Sequence, residues 1–217
     1  MMAFYFSRLI EIYPFFLKGL WMTFQIGFIS LVSCTLIGFI LGILRSGRNR
    51  ILKFIIGIYV SFVRGTPFVV QLFIIFFIFP EWGIQLDAFA AALLAMAIMG
   101  SAFICEIVAG GINSIPKGQW EAATSSGLSL MQQLRLVIIP QSMKVILPPL
   151  VGQYVLLIKD TSVVSVIGVM ELTRVGWVTV VTIPEGLMVF SLVGALYFVI
   201  SYPLILLSNY LERKMAV

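Results

Sequence analysis

The chain has 217 residues, of which 61% are hydrophobic and 11% charged, with 14 Lys and Arg against 9 Asp and Glu and no His. Soluble domains carry about half apolar and about a quarter charged residues, so these proportions exclude one and point to an all-α, polytopic integral membrane protein. The net charge of +5 calls for no nucleic-acid partner, because the surplus Lys and Arg fall where they orient membrane spans.

The opening MMAFYFSRLIEIYPFFLKGLW lacks a basic n-region and a small-residue cleavage site, so the N-terminus is expected to be retained. About five apolar stretches follow, at 20–44, 51–79, 88–109, 138–167 and 187–207. About 20 residues suffice to cross about 30 Å of hydrocarbon, so the second and fourth stretches must tilt, break or overhang. Pro67 in the second, and Pro140, Pro148 and Pro149 early in the fourth, are the places where they would do so. In the first stretch Gly38 and Gly42 make a small-residue face suited to contact with another helix. Cys34 and Cys105 lie inside apolar runs without C-x-x-C spacing and are read as packing residues, with no metal role.

Loop charge sets the orientation. Arg45, Arg48, Arg50 and Lys53 lie between the first two stretches, Lys117, Arg135 and Lys144 in the third connection, and Arg213 and Lys214 near the end. The opposite side carries Arg8, Lys18 and Arg174 beside Glu11, Glu81, Asp87, Glu171 and Glu185. The positive-inside rule then places the N-terminus outside and the C-terminus in the cytoplasm. No internal repeat or soluble domain-sized segment interrupts the chain, so residues 1–217 are expected to form a single transmembrane domain.

The connection at about 114–140 differs from the rest. Ser114-Ile115-Pro116 ahead of KGQWEAATSSG reads as a helix start, with Ser114 as cap and Pro116 in the first turn. Trp120, Ala123 and Gly127 share one face, Glu121, Thr124 and Ser125 offer a more polar one, and Gly127 is a point of turn or close approach. LSLMQQLRLVIIPQ resumes as helix. These features define a short helix–turn–helix on the cytoplasmic face, either a plain surface connector or a docking element.

Glu121-Ala122-Ala123, then Gly127, then Val137-Ile138-Ile139-Pro140 resembles the EAA loop, E-A-A-x3-G-x9-I-x-L-P, of ATP-binding-cassette (ABC) importer permeases. Val137 replaces Ile and Ile139 replaces Leu, with the spacing intact. RGTPFVVQLF from Arg64, IKDTSVVSVI from Ile158, and EIVAGGINSIP ahead of KGQWEAA resemble segments of the polar-amino-acid uptake branch, the histidine, glutamine and arginine type. Two positions depart from that pattern: Ala109 stands where Arg is usual, and Val163 where Leu is frequent.

The resemblance implies a transmembrane subunit of an ATP-driven importer of polar amino acids in a bacterial plasma (inner) membrane, working by alternating access. It implies about five transmembrane helices, with a cytoplasmic coupling helix between the third and fourth that docks through Glu121, Ala122, Ala123 and Gly127. The implied partners are a cytoplasmic ABC ATPase dimer, a second permease subunit that is an identical copy or a paralogue, and an extracytoplasmic substrate-binding protein. This chain is then no enzyme, and ATP and Mg belong to the partner. Its nearest approach to a phosphate loop, Gly42-x4-Gly47-Arg48-Asn49, lacks the Lys and Ser/Thr that contact phosphate and Mg. The alternatives are an ion-coupled secondary transporter subunit, for which inverted repeats and paired broken spans are expected, and a non-transporting scaffold.

Arg64, Glu106, Lys159 and Asp160 interrupt apolar stretches, at a cost of about 2.5–3.5 kcal/mol each near a span centre. Asp160-Thr161-Ser162 places a carboxylate and two hydroxyls where a zwitterion's ammonium and carboxylate find partners, provided the helix unwinds locally. Arg64 has the fork to clamp a carboxylate. The candidate substrate-binding set is thus Asp160, Thr161, Ser162, Arg64 and Glu106. The competing expectation is that Arg64, Glu106, Lys159 and Asp160 pair with one another and hold the bundle together.

Overall fold

The computed structural model describes residues 11–47 and 49–215. Arg8 and Arg48, and the first ten residues on which the retained start depends, lie outside them. The described elements are helices: α1 (Tyr13–Ser46), α2 (Arg50–Gly65), α3 (Phe68–Phe73), α4 (Ala88–Asn113), α5 (Lys117–Ser125), α6 (Leu130–Gln133), α7 (Ile139–Asp160), α8 (Leu172–Thr182) and α9 (Gly186–Met215). A π turn, Ile74–Ile78, and a 3-10 turn, Phe79–Trp82, prolong α3; a second π turn, Leu134–Ile138, joins α6 to α7; and a 3-10 turn, Thr161–Ile167, follows α7.

Four of these stretches, α1, α4, Leu130–Ile167 and α9, are long and apolar enough to cross a membrane, and α2 with the α3 segment makes a fifth, bent by 105°. Four stretches, or five with the bent pair counted as one span, agree with the all-α membrane fold expected from the composition. The first starts earlier than its apolar run: α1 has 34 residues, about 51 Å at 1.5 Å per residue, so it overhangs the hydrocarbon at its ends.

Of the proline-marked breaks, Pro67 makes one. Thr66 and Pro67 are extended, at ψ 144° and 137°, because the pyrrolidine ring excludes helical geometry from the residue before it and removes an N–H. Pro148 and Pro149, by contrast, stand inside an unbroken α7. Packing of α4 and α9 along that helix keeps it intact in spite of the lost N–H groups. Pro140 occupies the first turn of α7.

The core is built on a close approach of α1 and α4. Gly19, Thr23, Gly27, Ser30, Cys34, Gly38 and Gly42 are buried at three- or four-residue spacing along α1, the same-face period of a helix. A Cβ on Gly38 would lie 3.1 Å from the Ser101 carbonyl oxygen, and one on Gly42 3.0 Å from that of Cys105, with Ile104 and Val108 closer still. This small-residue face is therefore spent within the chain, not on a second subunit. Cys34 donates to the Met96 carbonyl at 3.2 Å, and both cysteines are buried and unbridged, consistent with packing.

Large apolar side chains face outward instead, among them Trp21, Phe28, Leu36, Phe54, Phe62, Phe198 and Tyr202. A surface of this kind is a liability in water and is ordinary in lipid.

Candidate functional site

The EAA segment forms α5, nine residues long. Its start differs from the expected one: Ser114 closes α4, its hydroxyl donating to the Gly111 carbonyl, and Pro116 takes the N-cap position of α5. Proline there loses nothing, since the first N–H groups of a helix have no partner within it. Glu121 and Ala122 are exposed, whereas Ala123 is 4% exposed and Trp120 packs against the main core.

Gly127 ends the helix. Its φ is +75°, its N–H donates to Thr124 at 3.0 Å, and the Leu128 N–H donates to Ala123 at 3.2 Å. This pair of bonds around a left-handed glycine satisfies the last carbonyls and reverses the chain. Ser129 then caps α6, with the Gln132 side chain accepting from the Ser129 N–H at 2.8 Å.

Two glutamines fasten the loop. Gln133 Nε2 donates to the Leu128 carbonyl at 2.7 Å and to Thr124 Oγ1 at 3.2 Å. Gln141 on α7 donates to Gln119 on α5 at 3.0 Å. Behind α5, against the ends of α1 and α4, lies a cleft of about 310 Å³ lined by Ile43, Ser46, Ile112, Trp120 and Leu134 among others. The result is a short helix with an exposed Glu-Ala edge, bolted at several points to the membrane helices.

Inside the spans the polar residues divide. Glu106 Oε2 accepts from Arg45 at 2.5 Å and from Arg64 at 3.1 Å, and the Arg64 guanidinium also lies 5.4 Å from the Phe103 ring centroid. One carboxylate thus ties α1, the end of α2 and α4 together. The pairing half of the expectation accounts for Arg64 and Glu106.

Asp160 and Lys159 do not join that cluster. The ion pairs among the described residues both go to Glu106, so Asp160, half-buried at the last position of α7, has no countercharge within 4 Å. The α-helix stops there, and Thr161–Ile167 tightens to a 3-10 turn instead of the unwound segment that the Asp160-Thr161-Ser162 reading looks for. The Thr161 hydroxyl is buried and donates to Ile158 at 2.7 Å. Ser162 is half-buried. Ala109 is buried in α4.

Two residues escaped the sequence reading. Gln71, 7% exposed, donates from Nε2 to the Val63 carbonyl at 2.7 Å, the Thr66 carbonyl at 3.1 Å and Thr66 Oγ1 at 2.9 Å. It collects the carbonyls that the break at Pro67 frees, while its own Oε1 is buried without a partner. The signal was a glutamine four residues past a span-breaking proline.

Glu171, expected among outward loop charges, is fully buried at 0% exposure in the connection between the last two spans. It caps α8 by accepting from the Thr173 and Arg174 N–H groups, both at 2.8 Å, and takes the Tyr197 hydroxyl at 2.6 Å. Burial pushes its carboxyl above the ordinary range, against the opposing pull of those hydrogen bonds. Among the described residues no group of three His, Cys, Asp or Glu is placed to hold a metal.

Comparison with known proteins bears on the whole chain. A probable amino-acid ABC transporter permease protein of Bacillus subtilis (strain 168) is 37% identical over 95% of this chain and 92% of its own length. The glutamine transport system permease protein of Escherichia coli (strain K12) is 35% identical over 100% of both. A crystal structure of an amino acid ABC transporter with histidines superposes with a TM-score of 0.87 at 32% identity, covering 96% of this chain and 98% of that one. Residues 8–217 match one family profile, and with it the loop, the spans and the relatives agree: the chain belongs to the binding-protein-dependent transport system inner membrane component family.

Proposed function

We propose that this chain is the transmembrane subunit of an ATP-driven importer of polar amino acids, forming one permease domain over residues 1–217. It sits in a bacterial plasma membrane with its N-terminus outside and its C-terminus cytoplasmic. Two such subunits, identical or paralogous, line the path, a binding protein delivers substrate from outside, and ATP with Mg is held by a cytoplasmic ATPase dimer. The observation that carries this reading is α5: an exposed Glu121-Ala122 edge on a helix fastened to the spans by Trp120, the Gln119–Gln141 bond and the Gln133 clamp. A short helix held so firmly passes a push from a docked ATPase to the membrane helices instead of absorbing it.

Within the membrane, Asp160 with Ser162 takes the substrate's amino-acid group, while Thr161, at 0% exposure with its hydroxyl donated to the Ile158 carbonyl, holds the turn between them. Among the described residues the half-buried carboxylate makes no ion pair, and a zwitterion's ammonium supplies a close countercharge. Arg64 and Glu106 are assigned to each other and to Arg45, as the tie between three helices.

Reconstitution tests the reading. The chain, its ATPase and its binding protein in proteoliposomes should accumulate polar amino acids only with ATP, equally with and without an ionophore. Uptake that persists without ATP and collapses with the ionophore would establish the ion-coupled alternative instead.

A further inference from the structure

We propose that the substrates of this importer are polar amino acids whose side chains carry no positive charge, and that basic amino acids are rejected within the membrane itself. The proposal rests on the assignment of Asp160 to the substrate's ammonium, and it follows from a census of carboxylates.

The sequence holds nine Asp and Glu. Glu11, Glu81, Asp87, Glu121, Glu185 and Glu212 stand at helix ends or in connections. Three remain inside the helix bundle or buried beside it: Glu106, Asp160 and Glu171. Glu106 already shares one oxygen between two guanidiniums, so a ligand cation brought to it would meet two like charges at close range. Glu171 is at 0% exposure with both oxygens engaged. Asp160 alone is left to meet a positive charge.

An amino acid with an uncharged side chain brings one ammonium and one carboxylate, and Asp160 compensates the first. A basic amino acid brings a second cation, and the chain holds no further available carboxylate for it. Leaving a charge uncompensated in an apolar span is among the more expensive arrangements available to a protein. A neutral polar side chain needs only dipoles. The Gln71 Oε1 is a buried acceptor without a donor, on a helix whose residues Phe68–Phe73 pack against Thr161–Ile167. A carbonyl there completes a hydrogen bond from a neutral N–H or O–H group and offers no counter-charge to a full cation.

The test removes the binding protein, whose own selectivity would mask that of the membrane path. The purified permease–ATPase complex in nanodiscs is titrated calorimetrically at about pH 8, where free histidine is uncharged on its side chain. The probes are the protein amino acids together with cystine and ornithine, on the wild type and on Asp160→Asn. The expected result is a neutral amino acid as the tightest ligand, with arginine, lysine and ornithine weaker by about 100-fold and the neutral ligand's binding lost in Asp160→Asn. A basic amino acid that binds as tightly as any neutral one, and is lost in Asp160→Asn, overturns the charge selection while leaving Asp160 as the ammonium contact. If its binding is also lost in Glu106→Gln, Glu106 is the second carboxylate. Neutral binding that survives Asp160→Asn, or no binding of any probe, overturns the Asp160 assignment and the selection together.

Discussion

The side-chain amide of Gln71 donates to the main-chain carbonyl of Val63 at 2.7 Å, across a 105° bend. The two residues lie on either side of Pro67, and the bond satisfies a carbonyl that an unbroken helix would have paired with a backbone N–H. The bend is thus a built feature with its own polar closure. Gln71→Leu keeps the approximate volume and leaves the carbonyl of buried Val63, and that of Thr66, without that donor. We expect a loss of about 1–3 kcal/mol, read as a lowered thermal midpoint of the detergent-solubilised complex. An unchanged midpoint would show that lipid-side or local groups close the bend without Gln71.

Gly127 has its backbone at φ +75°, and nothing lies within 4 Å of a Cβ built there. Any L-residue therefore pays for the left-handed conformation, about 1 kcal/mol, without a clash inside the chain. Gly127→Asp adds to that strain a side chain and a charge on the docking side. Assembled complex with ATPase activity decoupled from uptake is the expected outcome, measured as phosphate release against substrate accumulation. Normal uptake by a well-expressed variant would count against the docking role of the loop.

Cys34 and Cys105 are both at 0% exposure, so single cysteines can be introduced over a quiet background. Ser125→Cys, on exposed α5, should react with an impermeant maleimide only from the cytoplasmic side of oriented vesicles. Ile84→Cys, at a residue 48% exposed, should react only from outside. The reverse pattern would invert the topology and separate α5 from any cytoplasmic ATPase.

Glu171 carries a pH signature. Its native pKa is raised by burial above the ordinary 4.5, so folding favours the protonated form. The stability contributed by this group is fully present below the unfolded value and is lost as pH rises through the raised native one. Glu171→Gln does not titrate. The thermal midpoint of the wild type should therefore fall relative to that of the variant as pH rises above the ordinary carboxylate value. A difference that stays flat as pH rises would mean that the hydrogen bonds from Tyr197, Thr173 and Arg174 cancel the cost of burial.

Asp160→Asn keeps the shape of the side chain and removes its charge. With an ammonium bound there, uptake should drop by about tenfold or more, the worth of a hydrogen bond between charged groups, while membrane levels and the thermal midpoint hold. If Asp160 serves only to balance Lys159, the single change lowers stability, and Asp160→Asn combined with Lys159→Met restores transport. Full rescue by that pair sinks the substrate contact.

Much of this protein was legible in one dimension because the membrane makes strong local demands. Apolar runs at span length, cations between them, and a polar loop with E-A-A-x3-G spacing are properties of neighbouring residues, and they determined the all-α membrane class and the position of α5. The glycine at 127 was readable as a turn for the same reason: its bonds reach back only to Ala123 and Thr124. Contacts between distant helices were decided in the tertiary structure. Glu106 meets Arg45, 61 positions away, instead of the charges at 159 and 160. Gly38 and Gly42 are consumed by α4, Pro148 and Pro149 are carried through an intact helix, and Glu171 sinks to zero exposure under Tyr197. Helical periodicity says which residues share a face, but which face meets which depends on packing complementarity summed over whole helices. Among the described residues that sum ties Glu106 to two arginines and leaves Asp160 outside any ion pair.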